Sequence, residues 1–170
     1  MRKIVYTIAG FSVLLVTGCL KDKPSVDFSN LGTVIELLPP QAGLENFSNA
    51  ALIYPFSDLS DDQSIVINVA SPSPPNKSIK VTIGVIDSAR VAYNGSNGAD
   101  YAALPDSAYS IPASSGTIAA GKRLDTLSIT FYPSKIDTTV DYMLPVGITD
   151  AQGQTISGNF GIIFFHFDAR

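Results

Sequence analysis

Along most of this chain, apolar and polar residues alternate with a period of two. Thr33 to Leu38 (TVIELL) reads as a strand stopped by Pro39-Pro40. Ala50 to Tyr54 reads as a short strand ending at Pro55, and Ser57 to Gln63 as an acidic loop. From Ser64 to Ala70, Ile65, Ile67 and Val69 share one face while Ser64 and Asn68 share the other. Ser71 to Asn76 (SPSPPN) is a rigid turn, because proline donates nothing to a ladder. Ile79, Val81, Ile83 and Val85 again share a face. Asp87 or Ser88 is placed to cap a short helical turn through Asn94, which Asn94-Gly95-Ser96-Asn97-Gly98 ends.

The second half continues in the same rhythm. Tyr109 to Ile111 and Gly116 to Ala119 are edge pieces, and Ala120-Gly121-Lys122 is a turn. Leu127, Ile129 and Phe131 face inward, with Thr126, Ser128 and Thr130 outward. Tyr142, Leu144, Val146 and Ile148 form another inward face. Pro145 inside that run implies an edge strand or a bulge. Asp150 to Gly153 is a turn. Phe160 to Phe167 is apolar on both faces and so belongs in the middle of a sheet. Seven or more short strands with frequent turns predict an all-β, immunoglobulin-like antiparallel β-sandwich carrying one short helical turn. No internal repeat and no second domain are expected in the 170 residues.

The first residues follow different rules. Met1-Arg2-Lys3 is a short positive region, and Ile4 to Thr17 is an apolar run of signal-peptide length, too short to span a bilayer. Val16-Thr17-Gly18-Cys19 then resembles a bacterial lipobox, in which the cysteine thiol is acylated and the chain is cut before it. Cys19 is the only cysteine, so no intrachain disulfide can form. Acyl chains contribute about 0.8 kcal/mol per buried methylene, enough for two or three of them to anchor the protein. The expected organisation is a lipoprotein signal peptide over 1–18, a tether over 19–30 and the sandwich over 31–170. Leu20-Lys21-Asp22-Lys23 weakly resembles a surface-export signal, and a solvated charged tether accounts for it equally well.

Composition narrows the function classes. Charged residues make up 15% and apolar ones 45%, which excludes a disordered acidic tail. Eleven basic residues, two of them in the leader, stand against 15 acidic ones, and such a surface repels phosphate backbones. Nucleic acid is therefore not an expected partner.

The block from Tyr93 to Thr149 carries a family resemblance. Tyr93-Asn94, Tyr101, Leu104-Pro105, Tyr109, Ile118 with Gly121-Lys122, and Tyr142-Met143-Leu144-Pro145-Val146 resemble the signature of domain of unknown function 1735. This is an immunoglobulin-like domain of Bacteroidota surface lipoproteins, and the likeness extends over roughly Leu31 to Phe167. The resemblance implies an outer-membrane, cell-surface setting beside polysaccharide-utilisation genes and a role accessory to glycan capture. Its members often continue into a lectin-like or discoidin-like domain.

No motif points to catalysis. Gly116 to Arg123 nearly matches a phosphate loop, but Arg123 stands where a Ser or Thr must hold magnesium. A β-turn is the better account. Asn94, Asn97 and Asp100 are spaced oxygen donors without the terminal Glu of a calcium loop. Asp58, Asp61 and Asp62 read as a charged loop tip. His166 is the only histidine and has neither a metal-binding partner nor a nucleophile motif around it. The only glutamates, Glu36 and Glu45, lie early in the chain. No enzyme activity, cofactor or metal is expected. Tyr54, Phe56 and Tyr101 are the candidate sugar-stacking residues, since an aromatic face packs on the apolar face of a pyranose. Core and corner packing is the competing account of these rings, more so for Tyr93 and Tyr109. The expected partners are outer-membrane lipid through Cys19 and a polysaccharide or a membrane transport complex. The alternative is a structural or adhesion module that acts through protein contacts.

Overall fold

The computed structural model describes residues 32–38, 49–51 (backbone only) and 60–169. The chain divides after Asn30, and all described residues belong to the unit Leu31–Arg170. Cys19, Tyr54, Phe56 and Asp58 lie outside the described residues, as do Glu45 and the expected signal peptide.

Two sheets carry the fold. The first is ordered β10-β1-β3-β8-β6, from β1 (Val34–Leu38), β3 (Asp61–Ala70), β6 (Tyr109–Ser110), β8 (Leu124–Phe131) and β10 (Thr155–Ile156). The second is ordered β2-β11-β9-β4-β7, from β2 (Asn49–Ala51), β4 (Ile79–Val85), β7 (Ser115–Ile118), β9 (Tyr142–Asp150) and β11 (Ile162–Phe167). β5 (Ala102–Ala103) adds to β9. One helix, α1 (Asp87–Asn97), follows β4. The inward residues of both sheets form one core. Ile65, Ile67 and Val69 of β3 and Leu127, Ile129 and Phe131 of β8 meet Val81, Ile83, Leu144, Val146, Ile163 and Phe165 of the second sheet. Phe131 sits at its centre, with ring centroids 5.2 Å from Phe165 and 5.1 Å from Phe167. Alternation along each strand places these side chains on one face, and burying that face drives the sheets together.

The structure corrects the sequence reading in several places. Asp61 to Gln63 are strand rather than loop, paired with Phe131, Thr130 and Ile129 of β8. Their polar side chains are kept there by local partners: Asp62 Oδ1 accepts the Thr130 hydroxyl at 2.6 Å, and Asp61 accepts from the Gln63 amide. The helical turn is an eleven-residue helix that runs through Gly95 to Asn97. Neither Asp87 nor Ser88 caps it, because Ile86 holds the capping position without a side-chain bond. Gly98, at φ 64°, ends the helix with its N–H on the Asn94 carbonyl, a left-handed conformation costly for other residues.

The sandwich is not purely antiparallel. β1 with β10, β2 with β11 and β5 with β9 are parallel pairs, each joining segments that no hairpin connects. Pro145 lies in an interior strand, not at an edge. Its carbonyl accepts from Ile86 N–H at 3.0 Å, in the gap between the partners β5 and β4. A strand residue's nitrogen and carbonyl point to the same side, so the missing donor falls in that gap and β11 loses no bond. The one register irregularity between β4 and β9 lies at Thr82/Ile83. Val85, which the period-two pattern puts on one face with Ile83, is 41% exposed, because β4 leaves the core there to enter the helix.

β9 leads into β10 through Ala151–Gln154, where Gln154 N–H reaches the Ala151 carbonyl at 3.0 Å. Gln152 holds a positive φ of 50° in this turn, and its Oε1 accepts Lys80 N–H at 2.8 Å, tying the turn to β4. The chain then crosses to the first sheet and returns. Ser157 N–H reaches Ile35 O, and Leu37 N–H reaches Phe160 O, which closes this side of the sandwich.

Candidate functional site on the outer face of the second sheet

β11 and β9 are apolar on both faces, so their outer face also needs a cover. The outward residues pair across the two strands as Ile162 with Gly147, Phe164 with Pro145 and His166 with Met143. Met143 is fully buried and His166 is 7% exposed, yet neither belongs to the inter-sheet core. What covers them is α1 and the segment to Tyr101.

The rings make the contact. Tyr93 of α1 lies 5.5 Å from Phe164 and stands edge-on to His166 at 5.5 Å, with an interplanar angle of 83°. Tyr101 approaches His166 edge-on at 4.9 Å and Tyr93 at 6.1 Å. Edge-to-face geometry aligns ring edges with the opposing quadrupole and contributes about 0.5–1.5 kcal/mol per pair. Polar bonds hold the backbone of the cover. Asn94 Nδ2 donates to Tyr101 O at 2.9 Å, Tyr101 N–H donates to Asn94 Oδ1 at 3.2 Å, and Arg90 Nη1 donates to the same carbonyl at 2.8 Å. Arg90 is itself held by Asp87 at 2.7 Å, and this bond keeps the Asp87 carboxyl below its usual range.

Beside this cluster the outer face opens into a cleft of about 340 Å³. Ile86, Ile156, Ile162 and Phe164 give it an apolar wall, with Ser157 and Asn159 supplying hydrogen-bonding groups. Gly147 makes the approach possible: a Cβ there would come within 2.5 Å of Ile86 Cδ1 and 2.9 Å of Ile162 Cγ1. Phe164 belongs to both features, touching Tyr93 on one side and lining the cleft on the other. Half-open, largely apolar concavities with a few polar groups are where small ligands bind.

The sequence-derived candidates fall differently. Tyr101 is half-buried against His166, and burial pushes its hydroxyl pKa up, helped by the nearby Asp168 carboxylate. Asn94, Asn97 and Asp100 do not converge on a cation position. Asn94 is bonded to Tyr101, and Asn97 Nδ2 donates to Tyr93 O at 2.9 Å. Arg123 grips the carbonyls of Val69, Ser71 and Pro72 between 2.7 and 3.2 Å, a structural use of the near-match to a phosphate loop. Tyr109 packs against the core, with its hydroxyl 3.1 Å from Asp106. Among the described residues no group of three His, Cys, Asp or Glu side chains gathers to hold a metal ion. Sequence reasoning missed Ile86, Ile156, Asn159 and Phe164. The one available signal was the two-faced apolar run at Phe160–Phe167, which demands an outer partner.

Comparison with known proteins places the chain. A family model described as an N-terminal domain matches residues 37–155, and the chain belongs to that family. A solved Bacteroides ovatus multidomain protein including DUF1735 shares the fold, at TM-score 0.60 and 17% identity over 78% of this chain and 43% of its own, in keeping with the DUF1735-type signature of the sequence. A second B. ovatus protein, named as a candidate carbohydrate-binding protein, is similar at TM-score 0.63 and 16% identity over 79% of this chain and 37% of its own. EndoBT-3987 of Bacteroides thetaiotamicron, solved with a Man5GlcNAc product, is similar at TM-score 0.62 and 14% identity over 78% of this chain and 30% of its own. This chain therefore spans less than half the length of each of these neighbours. No curated protein matches the sequence.

Proposed function

We propose that this protein is a lipid-anchored outer-membrane accessory of polysaccharide utilisation that holds glycan at the cell surface without cutting it. The observation that carries the glycan reading is the cleft between Ile86, β11 and the Ile156–Gly161 segment. Its apolar wall of Ile162 and Phe164 suits the C–H face of a pyranose, and Ser157 and Asn159 suit its hydroxyls. The setting of its fold relatives supports the same reading, since one is named for carbohydrate binding and another holds an oligosaccharide product. The lipobox-like Val16-Thr17-Gly18-Cys19 supports the anchor. The alternative, a module that lends a sheet edge to a protein partner, fits less well at β7. There the N–H of Thr117 that points away from β4 is already taken by Asp125 Oδ2 at 2.6 Å.

Affinity electrophoresis of the Leu31–Arg170 unit through gels cast with single polysaccharides tests the capture reading. Retardation by at least one polymer with no shortening of that polymer is expected. Free migration in every gel, with a membrane protein co-purifying from the host, transfers the assignment to the protein-contact module. Incorporation of a labelled fatty acid into the native protein, abolished by Cys19→Ser, tests the anchor.

A further inference from the structure

Among the described residues, the imidazole of His166 is the one buried charge-capable group under the cover of the outer face, and its Nε2 has no hydrogen-bond partner. Two rings stand steeply against it, Tyr93 from α1 with centroids 5.5 Å apart and Tyr101 from the following segment at 4.9 Å, and the fully buried Met143 is its cross-strand partner. The cover itself is lightly seated, since no residue of α1 is buried and the side-chain bonds of Arg90 and Asn94 run to Tyr101, within the cover, rather than to the sheet. We propose that His166 is a proton-operated latch: when its ring takes up a second proton, the cover from Asp87 to Tyr101 lifts from the second sheet.

The physical reason is an unmet donor. A neutral ring leaves one lone pair without a partner under the cover, a tolerable cost. An imidazolium places a donor and a positive charge there, with no acceptor in reach of Nε2. Lifting the cover gives that donor water. The charged groups around the site do not remove the penalty. On the cover, Arg90 is a cation already committed to Asp87 and to Tyr101 O, and Asp100 lies in the segment beyond Gly98. On β11, Asp168 lies two residues beyond His166, and ahead of β9 Asp141 is engaged by Ala169 N–H at 2.5 Å. Burial holds the His166 pKa below the ordinary histidine value, and the attraction of Asp168 offsets this only in part.

The sign follows. A group whose pKa is depressed in the closed state stabilises that state above its free value, about 6.5, and the stability drains away as pH falls below it. The opening constant of the cover therefore rises by up to about tenfold per pH unit below that point. Ile86 precedes the helix and Phe164 touches Tyr93, so lifting the cover also reshapes the cleft. That last consequence rests on the glycan reading, whereas the latch stands without it.

Two measurements on the intact protein test the latch. His166 is the only histidine, so its ring proton resonance titrates without assignment. A midpoint below about 6.5 is expected, and a midpoint at or above it overturns the proposal. Hydrogen exchange, corrected for intrinsic rates, is then followed between about pH 5 and about pH 8. Amides of Asp87–Tyr101 in the wild type should lose protection on acidification while those of β8 and β9 keep theirs. In His166→Phe the cover should show no such pH dependence. Loss of protection spread evenly over the sandwich, or the same acid response in His166→Phe, contradicts the latch. If that variant does not fold, the ring titration and the wild-type exchange pattern decide the matter. A polysaccharide retained equally at both ends of the pH range would sever only the link to the cleft.

Discussion

Phe164 and Phe165 are neighbours in sequence and occupy opposite faces of one strand. Phe165 is fully buried among apolar side chains, with the Phe131 ring 5.2 Å away. Phe164 is half-buried, touches Tyr93, and opens on its other side into a cleft. The inner face is closed by the first sheet through fully buried apolar side chains such as Ile65, Ile129 and Phe131. The outer face is closed by one helix without a buried residue, tied to Tyr101 by three hydrogen bonds within the cover and seated on the sheet by ring contacts to Phe164 and His166. The same strand thus serves a scaffold on one side and an adaptable surface on the other. Chemistry that needs movement or a ligand belongs to the second side, where separation costs little of the global stability.

Phe165→Ala should break the comparison most severely. Removing that ring leaves a cavity between the sheets and costs about 3–5 kcal/mol, read as a lower denaturation midpoint for the whole unit. Gly147→Val should come next at about 1–3 kcal/mol, because its Cβ enters the space of Ile86 Cδ1 and Ile162 Cγ1. That variant should also narrow the cleft, so any glycan affinity should fall with it. Asn94→Ala removes the paired bonds to Tyr101 and should cost about 1–2 kcal/mol. Its effect should be local, seen as faster exchange over Asp87–Tyr101 while the amides of β8 keep their protection. Phe164→Ala should be the mildest for stability, at about 1 kcal/mol by loss of the Tyr93 ring contact, and should still abolish retention in a polysaccharide gel. Equal losses of stability in Phe164→Ala and Phe165→Ala would erase the distinction between the two faces.

The inner face was legible in the sequence. Ile65, Ile67 and Val69 alternate with the half-exposed Val66 and Asn68, and Leu127, Ile129 and Phe131 with Ser128 and Thr130, so period two assigns them inward. Where both faces are apolar, the pattern reports burial but not the cover. The two-faced run ending at Phe167 was correctly placed inside a sheet, yet nothing local says that Tyr93 and Tyr101 lie over His166. Pro145 misled for a related reason. Its missing donor points into the gap between β5 and β4, which is fixed by pairing between distant segments. Asp61 and Asp62 looked like a loop because their charge suggested one, whereas the Thr130 hydroxyl and the ladder to β8 hold them in a strand. The cleft was not legible at all. Ile86, Ile156, Asn159 and Phe164 come from separate elements, and only the crossing of the chain between the sheets brings them together.

The most direct measurement of the central claim is amide chemical-shift mapping of the Leu31–Arg170 unit titrated with a polysaccharide that retards it in a gel. Binding at the outer face predicts saturable shifts at Ile86, Ile156, Ser157, Asn159, Ile162 and Phe164, with β3, β6 and β8 of the first sheet silent. Saturable shifts confined to β3, β6 and β8, or to the turns around Pro75 and Gln152, would contradict it.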